Sequence, residues 1–238
     1  DLFETFLDNT KMYSCAIFEN ENSSLEQASI NKIERICKKL ELSSNDHVLE
    51  IGTGWGGFAI FAAKNFGCKI TTTTISQKQY KYTLEKVKAL GLQDKISVLK
   101  KDYRDLTGKY NKLVSIEMIE AVGHHYYHDF FRKCNQLLTP DGRMLLQSII
   151  ITDYLYEEAK QFSDFIKTYI FPGSCIPSIS KLCESSAKAT DMRLFHLEDI
   201  TPHYAKTLNH WRSHFMNNVK KIRDLGFSEE FIRLWNFY

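Results

Sequence analysis

The stretch Val48-Leu-Glu-Ile-Gly-Thr-Gly-Trp-Gly-Gly57 constrains the fold of this chain more than any other part of it. Val48, Leu49 and Ile51 form a short apolar run that reads as a strand, Gly52 and Gly54 act as a hinge, and Phe58 to Lys64 opens a helical apolar face. Strand, turn and helix in that order set an open helix N-terminus against the carboxyl end of the strand. That is the crevice in which open α/β sheets bind their ligands. Glycine there removes the Cβ that would hold a nucleoside away from the backbone. The stretch reads as a cradle for a nucleotide-like cofactor, with an ordinary glycine-rich βα turn as the bland alternative.

Spacing alone leaves the cofactor open, because Gly52, Gly54 and Gly57 also satisfy the dinucleotide pattern G-x-G-x-x-G. Glu50 tips the balance. With it, the string E-I-G-T-G-W-G resembles motif I of S-adenosylmethionine-dependent methyltransferases, and an acid at that position suits the cationic amino group of the cofactor's methionine end.

Composition bounds the rest. A chain of 238 residues with 43% hydrophobic side chains has enough apolar material for one core that removes about 70 to 75% of its unfolded surface from water, so residues 1–238 read as one domain. Its 31 basic and 29 acidic side chains nearly cancel, which gives no global electrostatic reason to expect nucleic acid as a partner. No apolar run approaches the roughly 20 residues needed to span a bilayer and no leader-like segment opens the chain, so a soluble or peripheral protein is expected. The six cysteines contain no C-x-x-C pair, which argues against a zinc ribbon or a disulfide framework and for a reducing, cytoplasmic setting. His124, His125 and His128 could put two imidazoles on one helical face, but no carboxylate or cysteine completes a metal site at standard spacing. They read as part of a solvated loop.

Taken in order, residues 1–21 are aromatic and without a period, a segment shaped by what it covers. A helix is expected over Asn22 to Leu42, capped by Ser24, and the loop Ser43 to Asp46 completes an N-terminal part, 1–46, that would cover the cofactor. Strands are then expected at Lys69 to Thr74, Ile96 to Leu99, Leu113 to Ile116 and Arg143 to Ile151. They alternate with helices from Ser76 to Leu90 and from Tyr127 to Leu138. Such alternation means βαβ units and a doubly wound, mostly parallel α/β sheet. Past Ile151 the rhythm changes: Tyr156 to Ile170 and Ser178 to Ala189 read as helices within an insertion, 152–192. Leu194 to Ile200 reads as a strand and Tyr204 to Leu225 as a helix. The aromatic residues there are either core or the wall of a site for a long apolar substrate.

At the strand ends, Glu117 and Glu120 stand three residues apart after the fourth strand, where two carboxylates would face a sulfonium. Gln147 and Ile149 point to one side of the fifth strand, Gln147 either satisfying neighbouring backbone or serving the site.

Six strings carry a wider likeness: Tyr13-Ser-Cys-Ala16, Glu50-Ile-Gly-Thr-Gly-Trp-Gly56, Ile75-Ser-Gln-Lys-Gln79, Glu117-Met-Ile-Glu-Ala-Val-Gly123, Tyr169-Ile-Phe-Pro-Gly173 and Pro202-His-Tyr-Ala-Lys-Thr-Leu208. Together they resemble the cyclopropane-fatty-acyl-phospholipid synthase family, which includes mycolic acid cyclopropane synthases. The resemblance implies a seven-stranded Rossmann-like methyltransferase sheet with a helical insertion after the fifth strand. It implies Tyr13, Ser14, Gly52, Gly54, Thr74, Gln79, Tyr103 and Ile116 around S-adenosylmethionine, with Tyr103 against the adenine. It further implies Glu120, Gln147, Ile149, Tyr204 and the backbone of Cys15 around a bicarbonate ion acting as base. The implied substrate is the cis double bond of a phospholipid-borne acyl chain, with peripheral membrane contact and room for a homodimer. Two positions depart from the family pattern, Gln147 and Ala121, where many members have histidine. Family members have more chain on both sides, so these residues are expected to be part of a longer protein. Methyl transfer without ring closure, onto an acyl carbon or a small amine, is the rival enzyme reading, and a cofactor-binding module without catalysis is the non-enzymatic one.

Overall fold

Five parallel strands frame the computed structural model, which describes residues 1–238. They are β1 (His47–Ile51), β2 (Lys69–Thr74), β3 (Ile96–Lys100), β4 (Tyr110–Ile116) and β5 (Leu138–Gln147), in the spatial order β3-β2-β1-β4-β5. The chain winds outward from β1 to β2 and β3, then returns to build β4 and β5 on the other side. The order therefore reverses between β1 and β4, the point at which the loops beyond the strand ends part to leave a crevice.

Both faces of the sheet are covered, which is why β1 reads as an apolar run rather than an alternation. Val48 packs on one side with residues of α1 (Leu25–Lys39), α2 (Gly57–Phe66) and α3 (Gln77–Ala89). Leu49 and Ile51 face the other side, against Tyr127, Phe130, Phe131 and Leu137 of α4 (Tyr127–Leu137). The helix starts follow local chemistry. Ser24 Oγ accepts from the Gln27 amide while the Gln27 side chain accepts from the Ser24 amide, a reciprocal cap for α1, and Ser76 Oγ accepts from the Gln79 amide at the start of α3.

A third cluster lies beyond the sheet. Phe6, Ala16 and Phe18 pack against Trp211 and Phe215 of α7 (Thr201–Asn217) and Ile232 of the last helix, so the N-terminal segment and the C-terminal helices share one core.

The structure departs from the sequence expectations mainly in the second half. β5 begins at Leu138, and its register against β4 jumps from Leu138 to Arg143, so Thr139-Pro-Asp-Gly142 is accommodated as a bulge in a strand expected to start later. It ends at Gln147, because the Ile149 amide bonds a carboxylate and the Ile151 amide bonds Pro177 O instead of β4. The expected helix 156–170 is two pieces, α5 (Asp153–Ala159) and a π-helical turn at Ile166–Ile170, followed after Pro177 by α6 (Ile179–Ala189). The expected helix 204–225 breaks at Asn218, whose side-chain amide donates to Thr5 O and His214 O. α8 (Val219–Asp224) and α9 (Glu229–Phe237) follow. Leu194–Ile200 forms no strand: it pairs with none of the five strands of the sheet, and Phe195 is 97% exposed. Five of the seven strands implied by the resemblance are thus present as a sheet. No helix is long and apolar enough to cross a membrane.

Candidate active site

The glycine turn leaves β1 with Gly52 at φ 101° and Gly54 at φ 51°, a left-handed backbone that L side chains rarely adopt. The Gly52 and Thr53 amides both donate to Thr73 O, which ties the turn to β2. The glycines serve different ends. A Cβ built on Gly54 would meet no protein atom within 4 Å, as expected of a residue facing a ligand, whereas one on Gly57 would lie 2.4 Å from Thr10 O. Gly57, the third glycine of the dinucleotide-like spacing, thus lets the N-terminal segment cross the start of α2.

Glu50 sits beneath this turn, 3% exposed, with Oε2 buried and without a hydrogen-bond partner. Burial pushes its carboxyl up to about 8, against the opposing pull of Thr72 and Lys32. An unpartnered acceptor beside a glycine cradle fits the amino group of a methionine moiety. On α1, Lys32 is fully buried and donates to Ser14 Oγ at 2.7 Å. Burial lowers it to about 8 while Glu117, Cys15, Asp8 and Glu50 pull the other way.

Two carboxylates follow β4, and they divide their work. Glu117, at φ 47°, turns back so that Oε1 accepts from the Cys15 amide at 2.8 Å and from Gln147 Nε2 at 2.9 Å. Gln147 Nε2 also reaches Cys15 O at 3.2 Å. Glu120 Oε1 accepts from the Ile149 amide at 2.6 Å and from Ser148 Oγ at 2.9 Å, while its Oε2 is buried without a partner. Burial, aided by the charge on Glu117, raises the Glu120 carboxyl to about 7. Burial also raises Glu117 above the usual carboxylate range.

The segment Tyr13–Phe18 roofs the strand ends, and the motif on α7 holds it there. The Ala16 amide donates to Thr207 Oγ1 at 3.1 Å and the Phe18 amide to His203 Nδ1 at 3.2 Å, two side chains one helical turn apart. Tyr204 lies between them in sequence, its ring edge-on to Trp211, its hydroxyl raised far above the ordinary phenol by burial and by the negative charge of Glu117. Tyr13 packs on Trp211 and bonds Tyr238 through its hydroxyl at 3.1 Å. Along the sheet, Thr74 Oγ1 at the end of β2 donates to Gln79 Oε1, Ile116 pairs with Gln147, and Tyr103 is half-buried against Phe130 in a turn after β3.

The sequence candidates thus fall into two groups. Cys15, Glu117 and Gln147 are bonded together, and Glu120 is bonded to Ile149, whereas Thr74, Gln79 and Tyr103 line the neighbouring strand ends. Lys32 was not anticipated, although the signal exists: it stands four residues from both Ala28 and Ile36 on the apolar stripe of α1. His203, Thr207 and Ser148 were also missed as site-builders. No three His, Cys, Asp or Glu side chains are grouped to hold a metal, and His124 and His125 instead line a surface hollow of about 310 Å³ with Lys160 and Lys167, apart from the cradle.

Comparison with known proteins is consistent across sequence and structure. The model of the mycolic acid cyclopropane synthetase family matches residues 1–238. The tuberculostearic acid methyltransferase UfaA1 of Mycobacterium tuberculosis is 36% identical over the whole chain, and the cyclopropane-fatty-acyl-phospholipid synthase of Escherichia coli K12 is 34% identical. The chain spans only 57% and 59% of their lengths. A crystal structure of mycolic acid cyclopropane synthase CmaA1 complexed with SAH and CTAB superposes with a TM-score of 0.92 at 32% identity, covering 100% of this chain and 86% of that one. Coclaurine N-methyltransferase, at 20% identity and a TM-score of 0.80, shares the fold.

Proposed function

The chain belongs to the mycolic acid cyclopropane synthetase family, and from that premise we propose that it adds a methylene group from S-adenosylmethionine across the cis double bond of an unsaturated, phospholipid-borne acyl chain. The coarser assignment, an S-adenosylmethionine-dependent enzyme of the lipid cyclopropane synthase and methyltransferase type, comes with the family. The observation that carries the finer one is Glu120, a buried carboxyl after β4 with one oxygen held by the Ile149 amide beyond β5 and the other buried and free of protein partners.

In the proposed reaction the alkene π electrons attack the sulfonium methyl, so a C–C bond forms as the S–CH₃ bond breaks and S-adenosylhomocysteine leaves. The carbocation on the acyl chain then loses a proton from the added methyl group, and that C–H pair closes the ring. Bicarbonate, when bound, would supply the weak base this acidic cation needs. Glu120 Oε2 fits as acceptor for the ion's own proton and Tyr204 as a hydroxyl donor. The amides of Cys15 and Ile149 already donate to Glu117 and Glu120 and Gln147 Nε2 to Glu117 and Cys15 O, so their part is to aim these groups. Where ionised, Glu117 and Glu120 would supply negative charge beside the developing cation, an electrostatic complement that needs no rearrangement. The roof 13–18 and the aromatic wall of Tyr13, Trp211 and Phe171 exclude water that would trap the cation as an alcohol.

In this reading residues 1–46 cover S-adenosylmethionine, with Gly52, Gly54, Thr74, Gln79, Tyr103 and Ile116 along its length. Residues 152–192 wall the acyl chain, and exposed Phe162 and Tyr169 there suit peripheral contact with a lipid surface. The test is base dependence: cyclopropanation should slow in buffer freed of carbon dioxide and recover on adding bicarbonate. Full speed in bicarbonate-free buffer makes a side chain the base. Methylation without ring closure is the second reading, favoured by UfaA1 being a methyltransferase. Its product would keep an alkene and be cleaved by ozone, whereas a cyclopropane resists.

A further inference from the structure

Lys32 has no task in the chemistry just described, yet it is the one ammonium buried completely, at 0% exposure. It forms no salt bridge, and the hydrogen bond it makes is to Ser14 Oγ, 3% exposed, at 2.7 Å. An ammonium has only donors, so Ser14 must accept from it. The hydroxyl hydrogen of Ser14 is thereby committed to some other acceptor. Ser14 immediately precedes Cys15, whose amide bonds Glu117 at the end of β4, so that hydrogen lies in the roof of the β1/β4 crevice.

The acids that face Lys32 are Glu117 just after β4, Asp8 from the N-terminal segment and Glu50 from β1, with Cys15 beside it. Two are committed elsewhere: Asp8 accepts from Ser29 Oγ and the Thr10 amide, and Glu117 from Cys15 and Gln147. Glu50 keeps an oxygen without a partner. The crevice therefore carries two buried poles of opposite character, a donor pole at Lys32 and Ser14 and, at Glu50, a partnerless carboxyl that burial holds near 8 and that a neighbouring ammonium group would ionise into an acceptor. That is the complement of an α-amino acid zwitterion.

We propose that Lys32 is a positioning residue that fixes the Ser14 hydroxyl as a donor to the α-carboxylate of S-adenosylmethionine, opposite Glu50, which takes the α-ammonium group. The inference rests on the cofactor reading above and adds to it the group that orients the methionine end. A buried lysine near 8 is still largely charged at neutral pH, as this task requires.

Isothermal titration of the wild type, Lys32→Met, Ser14→Ala and the double variant tests it with two probes: S-adenosylhomocysteine and 5′-methylthioadenosine, which lacks the amino acid end. Both single variants should lose roughly 10- to 100-fold in affinity for S-adenosylhomocysteine, the range of a hydrogen bond to a charged group. They should change less than about 2-fold toward 5′-methylthioadenosine, and the double variant should be no worse than the weaker single one, as for groups acting as one unit. Lys32→Gln, which keeps a donor for Ser14, should recover part of the loss and serves if the methionine variant does not fold. Equal losses toward both probes would assign Lys32 to structure alone, and no loss toward either would leave it without a role in binding; each overturns the inference. A wild type that binds neither probe overturns the cofactor reading itself, and this inference with it.

Discussion

The Cys15 amide donates to Glu117 Oε1 at 2.8 Å, joining residues 102 positions apart and closing the N-terminal roof onto the end of β4. Glu117 makes this bond from a left-handed backbone, φ 47°, that a non-glycine side chain adopts at some cost. The same oxygen takes Gln147 Nε2, so one acid fixes the roof, the end of β4 and the end of β5. Family-typical strings far apart in sequence meet at this carboxylate.

Glu117→Ala should therefore loosen the roof more than it disturbs the sheet. It leaves the Cys15 amide and the Gln147 side chain short of an acceptor, a loss of about 1 to 3 kcal/mol in urea denaturation. Amide exchange at Cys15 and Ala16 should accelerate, while exchange in β1 and β2 follows global stability. Unchanged exchange at Cys15 would contradict the role given to Glu117.

Glu120 links the site to pH-dependent stability. Its folded-state carboxyl, near 7, lies above the ordinary value of 4.5, so its contribution is fully present below about pH 4.5 and is lost as pH rises through 7. Glu120→Gln keeps an acceptor for Ile149 and removes the buried charge. Relative to wild type, the variant should gain stability between pH 5 and pH 8, by about 2 to 3 kcal/mol. Urea melts at the two pH values check this, and a pH-independent difference would contradict it.

The two glycines of the turn should fail in different ways. Gly54→Ala places a Cβ where no protein atom lies within 4 Å, so beyond a left-handed-backbone cost of about 1 to 2 kcal/mol it should cut S-adenosylhomocysteine affinity sharply. Gly57→Ala meets Thr10 O at 2.4 Å and should lower thermal stability, with affinity falling only as the roof shifts. Titration and thermal melts on both variants decide, and a Gly54→Ala that binds as wild type would sink the cradle.

Features written in short windows were legible in the sequence. β2 spans the expected Lys69–Thr74, and Ser24 and Ser76 cap the helices they were expected to cap, because caps and strand periods are local signals. Leu194–Ile200 was misread because an apolar run gives extended chain, but a strand also needs a neighbour that no window contains. Lys32 was not legible because a lysine among the apolar residues of a helix can carry its ammonium out to solvent along its stem, and only the fold shows that this one is buried. Glu117 and Glu120 were expected to face the sulfonium together. Their division between Cys15 and Ile149 follows from positive φ at Glu117, which nothing in E-M-I-E signals.

Incubation of the purified protein with S-adenosylmethionine and vesicles of cis-unsaturated phospholipid, followed by mass spectrometry of the acyl chains before and after ozonolysis, tests the central claim most directly. The account predicts acyl chains one methylene heavier that survive ozone, formed about 10²-fold more slowly by Glu120→Gln, the scale of removing one preorganised electrostatic contact. A heavier chain that ozone still cleaves, or unaltered lipid alongside ready methylation of a water-soluble amine, would contradict it.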